Sequence, residues 1–342
     1  MRTSYIALVS FFITTGSAFA VPLEYKHEDI TLRISGYGNV GMIEPDFALN
    51  NSRFLGDWSV RGQMTYDADN NHRFGFVYSL DQQTVDTGEY INDLFALWQV
   101  KGVGRLEIGL TDSVAEKLGL GLPDVGGLRM NDNPLIYKRI DPTGPIITNT
   151  VLQTGDSAPR INIVSYNESG AQYGLSLAGG TDKYDVTLDG GIKIRRPNGK
   201  TKTAYSFGGS FMLNPKEFQQ SQFSPLVTAD WRAQMSAAMN LQYNSLIFAL
   251  NVRAIYDQNP VGATADGIIV GSGVSYDVLK YSLSLSYVFS DTGIWHNDVA
   301  DHINHTVVSS LRYKYSERVD GWMSVGLSVE TAFVSAGLRV TF

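Results

Sequence analysis

The sequence predicts an all-β fold, a single transmembrane antiparallel β-barrel of about sixteen strands, and three observations carry that reading. Apolar and polar side chains alternate along most of the chain, the period of a strand with one greasy face. The alternating segments run about ten residues or more, the length a tilted strand needs to cross a bilayer. Their connections switch between tight turns and longer loops, as in transmembrane barrels. A soluble sheet with one wet face would also alternate. Few segments, however, have the helical period that could supply a cover for its apolar face.

The elements follow in order. Alternation runs through 30–43, 56–67, 72–81, 93–101 and 104–112, then resumes at 160–167, 171–179, 184–196, 202–213, 229–243 and 245–257. It continues through 267–277, 280–290, 305–316, 321–330 and 333–342. In 184–196, Tyr184, Val186, Leu188, Ile192 and Ile194 alternate with Asp185, Thr187, Asp189, Lys193 and Arg195. In 280–290, Tyr281, Leu283, Leu285, Tyr287 and Phe289 alternate with four serines and Val288. In the last segment Val334, Ala336, Leu338, Val340 and Phe342 form the apolar row. Aromatic residues near the row ends, such as Tyr281 and Phe289 or Trp231 and Tyr243, suit an interfacial girdle. Every second strand ends in a tight turn, for example Pro197-Asn198-Gly199-Lys200 or Asn244-Ser245. An even strand count puts both chain ends on that side, the periplasmic one.

Residues 1–20 read as a secretory signal peptide ahead of a single barrel domain, 21–342. Arg2 is the positive region, Tyr5 to Phe12 the short apolar stretch, and Ala18-Phe19-Ala20 the cleavage signature. Composition narrows the function. The chain has 27 Lys+Arg against 34 Asp+Glu, a net charge of −7, which argues against a nucleic-acid partner. It has no cysteine, so a disulfide scaffold, a zinc-thiolate site and a thiol nucleophile are excluded.

The longest stretch without alternation, 112–159, includes Ala115-Glu116-Lys117-Leu118-Gly119 and five prolines. A loop of this length usually has a function. Outside the barrel it would be an ordinary surface loop; folded inward it would narrow the lumen.

With this loop in third position, the sixteen-strand pattern, the leader and terminal Phe342 make the chain resemble the Gram-negative general diffusion porins. The run Ile34-Ser35-Gly36-Tyr37-Gly38-Asn39-Val40-Gly41 resembles that family's first strand, and Arg129-Met130-Asn131-Asp132-Asn133-Pro134-Leu135-Ile136-Tyr137 the end of its third loop. The resemblance implies an outer-membrane homotrimer, each pore narrowed by the third loop at 112–159. It also implies a transverse field, with loop acids facing wall bases. Arg160 falls where the family often places a wall arginine, and Asn39 where some members carry a base.

Alternation points Arg33, Arg61, Arg73, Arg105, Arg160, Lys193, Arg195, Arg232, Arg253, Arg312, Lys314 and Arg339 inward. Charge on the lipid face would cost about 2–4 kcal/mol at the midplane. The candidate constriction is Arg33, Arg61 and Arg160 on the wall, opposite Glu116, Asp124 and Asp132 on the loop. Gly36-Tyr37-Gly38-Asn39-Val40-Gly41 matches a dinucleotide fingerprint, but Met42-Ile43-Glu44-Pro45 opens no helix to take a pyrophosphate. His296, His302 and His305 with Asp298 and Asp301 have metal-binding chemistry at a spacing that fits no strong motif. No cofactor, metal or catalytic residue is assigned.

The expected function is passive diffusion of small hydrophilic solutes and ions through a water-filled channel in the outer-membrane bilayer. A substrate-selective porin for sugars or anions is the alternative. The inward aromatics Tyr37, Trp322 and Phe333 are too scattered in sequence to make a sugar track. An enzyme would need a catalytic triad and an adhesin a larger external region, and neither pattern is visible.

Overall fold

The computed structural model describes residues 22–45, 53–69, 71–83, 91–126, 151, 158–165, 170–179, 185–214, 230–258, 264–291, 303–328 and 332–342. The leader expected at 1–20 lies outside them. The strands are β1 (Leu23–His27), β2 (Ile30–Pro45), β3 (Arg53–Asp67), β4 (His72–Gln83), β5 (Ile91–Val100) and β6 (Gly104–Thr111). After a short helix, α1 (Val114–Leu118), come β7 (Ala158–Ser165), β8 (Ala171–Gly179), β9 (Val186–Asn198), β10 (Thr201–Leu213) and β11 (Trp231–Tyr243). The last are β12 (Leu246–Gln258), β13 (Thr264–Val278), β14 (Tyr281–Asp291), β15 (Ile303–Lys314), β16 (Val319–Leu327) and β17 (Ala332–Thr341). Each of β2 to β17 pairs antiparallel with the next, and β17 pairs back onto β2, closing a barrel of 16 strands. All sixteen expected segments are strands, with ends moved by a few residues.

The alternation did not reveal β1. Its five residues, Leu-Glu-Tyr-Lys-His, are too few for a period to stand out. It turns at Glu28, which has a positive φ of 52°, and pairs with Ile30 to Ile34 of β2. From Tyr37 to Pro45 the same edge of β2 is taken by β17. The two ends of the described chain therefore share one position in the wall. At the joint, the Gly36 N–H donates to the Phe342 carbonyl at 2.8 Å, and the Phe342 N–H donates back to Gly36 at 2.9 Å. A Cβ at Gly36 would lie 2.6 Å from the Phe342 ring, so the missing side chain makes the slot that receives the terminal aromatic.

The wall is inside out relative to a soluble sheet. Met235, Leu175 and Ile163 on the outer rows are 72%, 63% and 62% exposed, whereas inward Ser335, Thr306 and Asn251 are buried. An apolar outer band with a polar interior suits lipid outside and water within. Aromatics stack near both ends of that band. Tyr281, Tyr313 and Tyr315 form a group at the short-turn end, and Trp231 packs between Phe211 and Tyr256 at the other.

Closure at Gly36 and Phe342 can be tested. Deleting Phe342 removes two backbone hydrogen bonds, and stability should fall by about 1–3 kcal/mol. Gly36→Val, which drives a side chain into the Phe342 ring and the Ser59 carbonyl, should destabilise at least as much. The check is the temperature at which the folded electrophoretic band is lost; an unchanged temperature for both would show that the seam is not held there.

Candidate functional site

The lumen is built around the chain segment that leaves β6. Ser113 caps α1, its Oγ accepting the Glu116 N–H at 3.1 Å. The helix then lies on the inner wall, because three glycines leave bare backbone beneath it. Gly174 of β8, Gly191 of β9 and Gly208 of β10 stand directly opposite one another across the strands. A Cβ on Gly191 would lie 3.3 Å from Leu118 Cβ and 3.4 Å from Ala115 Cα, and one on Gly174 would lie 3.0 Å from Val114. Val114, Ala115 and Leu118 are buried against this floor. Asp189 fixes the start of the helix. Its carboxylate accepts the Ala115 N–H at 3.0 Å, the Ser176 hydroxyl, and Arg160 Nη1 at 3.1 Å.

Residues 119–126 continue around the interior. The Asn251 side-chain amide on β12 donates to the Leu120 carbonyl at 2.7 Å. Leu122 packs with Ala249, Ile269 and Val288. Pro123 sits over Gly273 of β13, and Ser286 of β14 donates to its carbonyl at 3.1 Å. The Val125 N–H donates to Ser284 Oγ at 3.2 Å. Gly126 lies against the hydroxyls of Ser310 on β15 and Ser324 on β16. Val151, further along the chain, accepts a hydrogen bond from Arg253 at 3.3 Å.

The inward charges form ordered groups. Fully buried Glu107 binds Lys117 of α1 at 2.5 Å and Asn162 at 2.9 Å through one oxygen, and Arg105 at 2.6 Å through the other. Lys117 also donates to Thr111 at 2.5 Å and stands over the Phe95 ring. Arg61 pairs with Asp93 at 2.8 Å, and Ser79 on the strand between them donates to the same carboxylate at 3.1 Å. Arg232 grips Asp257 through two bonds of 2.6 Å, the forked geometry that guanidinium and carboxylate favour.

The expected constriction residues fall in different places. Arg61 faces the lumen from β3, half-exposed. Arg33 is exposed near the short turns, opposite Glu24 and Gln63. Arg160 is buried beneath α1 with Asp189. Glu116 is in the first turn of α1, within electrostatic reach of Arg253. Asp124 accepts the Gly126 N–H at 2.8 Å and shapes the local turn. Asp132, His296 and His302 lie outside the described residues. His305 is on the outer face, bonded to the Tyr287 hydroxyl at 2.7 Å. Trp322 lies inside over Gly41 and Gly337 and donates to Asn39 at 3.0 Å. Like Phe333 it is buried.

Sequence reasoning picked out the wall bases and passed over the acids that bind them: Asp93, Glu107, Asp189 and Asp257. A usable signal was present, since each acid has the inward parity of its strand.

Glu107 holds two cations where water is scarce, and breaking such a buried set should cost roughly 3–5 kcal/mol. Glu107→Gln should therefore lower the urea midpoint of the refolded barrel strongly. Lys117→Gln, which leaves the Arg105 pair, should do so less. Equal, small shifts would show that the loop segment is held by packing alone.

No protein-family model matches the chain, and no curated protein matches it. Solved structures do. The trimer form of OmpT, an outer membrane protein of Vibrio cholerae, is similar at a TM-score of 0.68 and 10% identity, over 92% of this chain and 100% of that one. The Salmonella typhi OmpF complex with daunomycin is similar at a TM-score of 0.62 and 10% identity, over 94% and 100%. The anion-selective porin from Comamonas acidovorans is similar at a TM-score of 0.61 and 14% identity, over 92% and 100%. At these identities the likeness speaks for architecture, and the architecture is the sixteen-stranded transmembrane barrel of the general porins.

Proposed function

We propose that the chain is an outer-membrane porin, a water-filled channel through which small hydrophilic solutes and ions diffuse passively. One observation carries this reading. The barrel has a polar inner wall, and residues 113–126 are seated against that wall rather than outside it. A barrel of about sixteen strands is wide enough for an aqueous channel, and a segment inside it narrows the passage. Residues 112–159 are the constriction loop in this reading. Arg61 faces the passage from the opposite wall, with Glu116, Asp124 and Asp132 on the loop side. Arg160 acts from beneath the loop, as the base that orients Asp189. Arg33 acts at the short-turn mouth.

The remaining parts follow the same reading. Residues 1–20 direct export and are removed. The apolar outer band meets the lipid of a Gram-negative outer membrane, and three copies assemble side by side. The chain performs no catalysis, needs no cofactor and binds no nucleic acid; solutes move down their own gradients.

The test is conductance of detergent-purified protein in a planar bilayer, with liposome swelling for neutral sugars of increasing size. Open channels with ohmic steps and a sharp size cutoff are expected. Deleting 118–128 should raise that cutoff. Arg61→Gln, which leaves Asp93 without its cation, should shift the reversal potential toward cations. A folded barrel that passes neither ions nor sugars would overturn the reading.

A further inference from the structure

The inner wall just below α1 brings three bases together around a small residue. α1 lies on Gly191 of β9 and Gly208 of β10. Two residues closer to the short turns, Lys193 and Ser206 are the paired inward residues of these strands, and two further on Arg195 stands opposite Ala204. On its other side Ala204 stands opposite Asn240 of β11, and Lys202 is the next inward residue of β10. Ala204 is thus the floor of a shallow dish. Arg195 and Asn240 flank it across the strands, Ser206 and Lys202 lie on either side of it along β10, and Lys193 stands on the diagonal. Residues two apart on one strand are about 7 Å apart, and diagonal neighbours about 7–8 Å. Three long basic side chains therefore reach the same point over Ala204.

Among the described residues, no carboxylate pairs with Lys193, Arg195 or Lys202. The charge that acts on half-buried Lys193 is that of Arg195, a second cation. On strands β7 to β12 the inward acids are Asp189 and Asp257, which are bound to Arg160 and Arg232 and lie on the long-loop side of the dish. In adjoining elements, Glu107 on β6 is held by Lys117 and Arg105, Glu116 on α1 acts on Arg253, and Asp277 is at the short-turn end of β13. The other wall bases described above have a carboxylate or a hydroxyl beside them; these three have one another.

We propose that this dish is a binding site for a phosphate-type anion, either inorganic or carried by a small solute. The inference rests on the channel reading above and names a solute class for the same passage. Arg195 supplies the planar fork that matches two oxygens of a phosphate, and the lysines supply compact charges that follow the ligand. The Ser206 hydroxyl and the Asn240 amide add neutral donors. Three like charges held close together repel, and an anion with two or more charges relieves that repulsion. Chloride brings a single charge and no set of oxygens for the fork. The dish is next to α1 on its short-turn side, so a solute that has passed the inner segment meets it at once.

The experiment titrates inorganic phosphate and pyrophosphate into the detergent-purified barrel by calorimetry, in potassium chloride of about 0.1 M, where the Debye length is about 10 Å. Saturable binding at one site per chain is expected, and pyrophosphate should reduce the chloride current of the open channel over the same concentration range. Arg195 and Lys202 are exposed, and R195Q/K202Q, which removes their charge-assisted bonds, should weaken binding about tenfold or more. K202Q alone should weaken it in the same direction, and serves if the double variant fails to show the heat-modifiable band of a folded barrel. Ala204→Leu keeps every charge and fills the floor, and should weaken binding about threefold or more. R312Q/K314Q removes two inward bases from β15 instead, and should change it by less than about twofold. Absence of saturable binding, an equal loss in R312Q/K314Q, or binding untouched by Ala204→Leu would overturn the site and leave the channel standing. A folded, inserted barrel with no current would overturn the channel reading, and calorimetry on the same protein would still decide the site.

Discussion

A chain that crosses lipid with strands must leave no backbone edge unpaired, because the hydrocarbon offers no partner for an N–H or a carbonyl. That constraint shapes everything else in this barrel. It requires the sheet to close, and closure joins the two ends of the described chain along one edge of β2. The joint depends on a small local fact. Gly36 has no side chain, so the Phe342 ring can lie over it while the two residues exchange hydrogen bonds. β1 then extends the same line and covers the part of β2 that β17 does not reach.

Once the sheet is closed, the interior has to be furnished, and it is furnished by backbone as much as by side chains. The aligned glycines of β8, β9 and β10 make a flat floor, and Gly273 receives Pro123 further around. Serines and an asparagine then supply the hydrogen bonds that an irregular segment cannot make to itself. This explains how a stretch with little secondary structure is held inside a barrel: its carbonyls and N–H groups are satisfied by the wall.

The same wall orders the charges of the barrel interior. Near the inner segment, bases and acids neutralise one another in close pairs, several of them buried. Such pairs orient groups and fix the segment, and their fields largely cancel at a distance. Among the described residues, the inward side chains near the short turns include Arg33, Arg73, Lys193, Arg195, Lys202 and Lys314.

Much of this was legible in the sequence for a simple reason. Strand side chains alternate strictly, so one pass along the chain reveals the strands and which residues point inward. All sixteen barrel strands, the inward parity of Arg61 and Arg232, and the outward apolar rows follow from that rule alone. Parity says nothing about which inward residue meets which. Arg61 finds Asp93 two strands away, across Ser79, because the pairing register sets the three residues in one row across β3, β4 and β5. Arg160 carries the inward parity of a pore-lining base, yet it lies under α1 because the segment after β6 folds back over it. The five residues of β1 were too few to show a period, and only their pairing with β2 makes them a strand. The sequence by itself determined the strands and their two faces, since these depend on neighbours along the chain; only the tertiary structure decided the seam, the seat of the inner segment and the charge pairs, since these depend on which strands closure brings side by side.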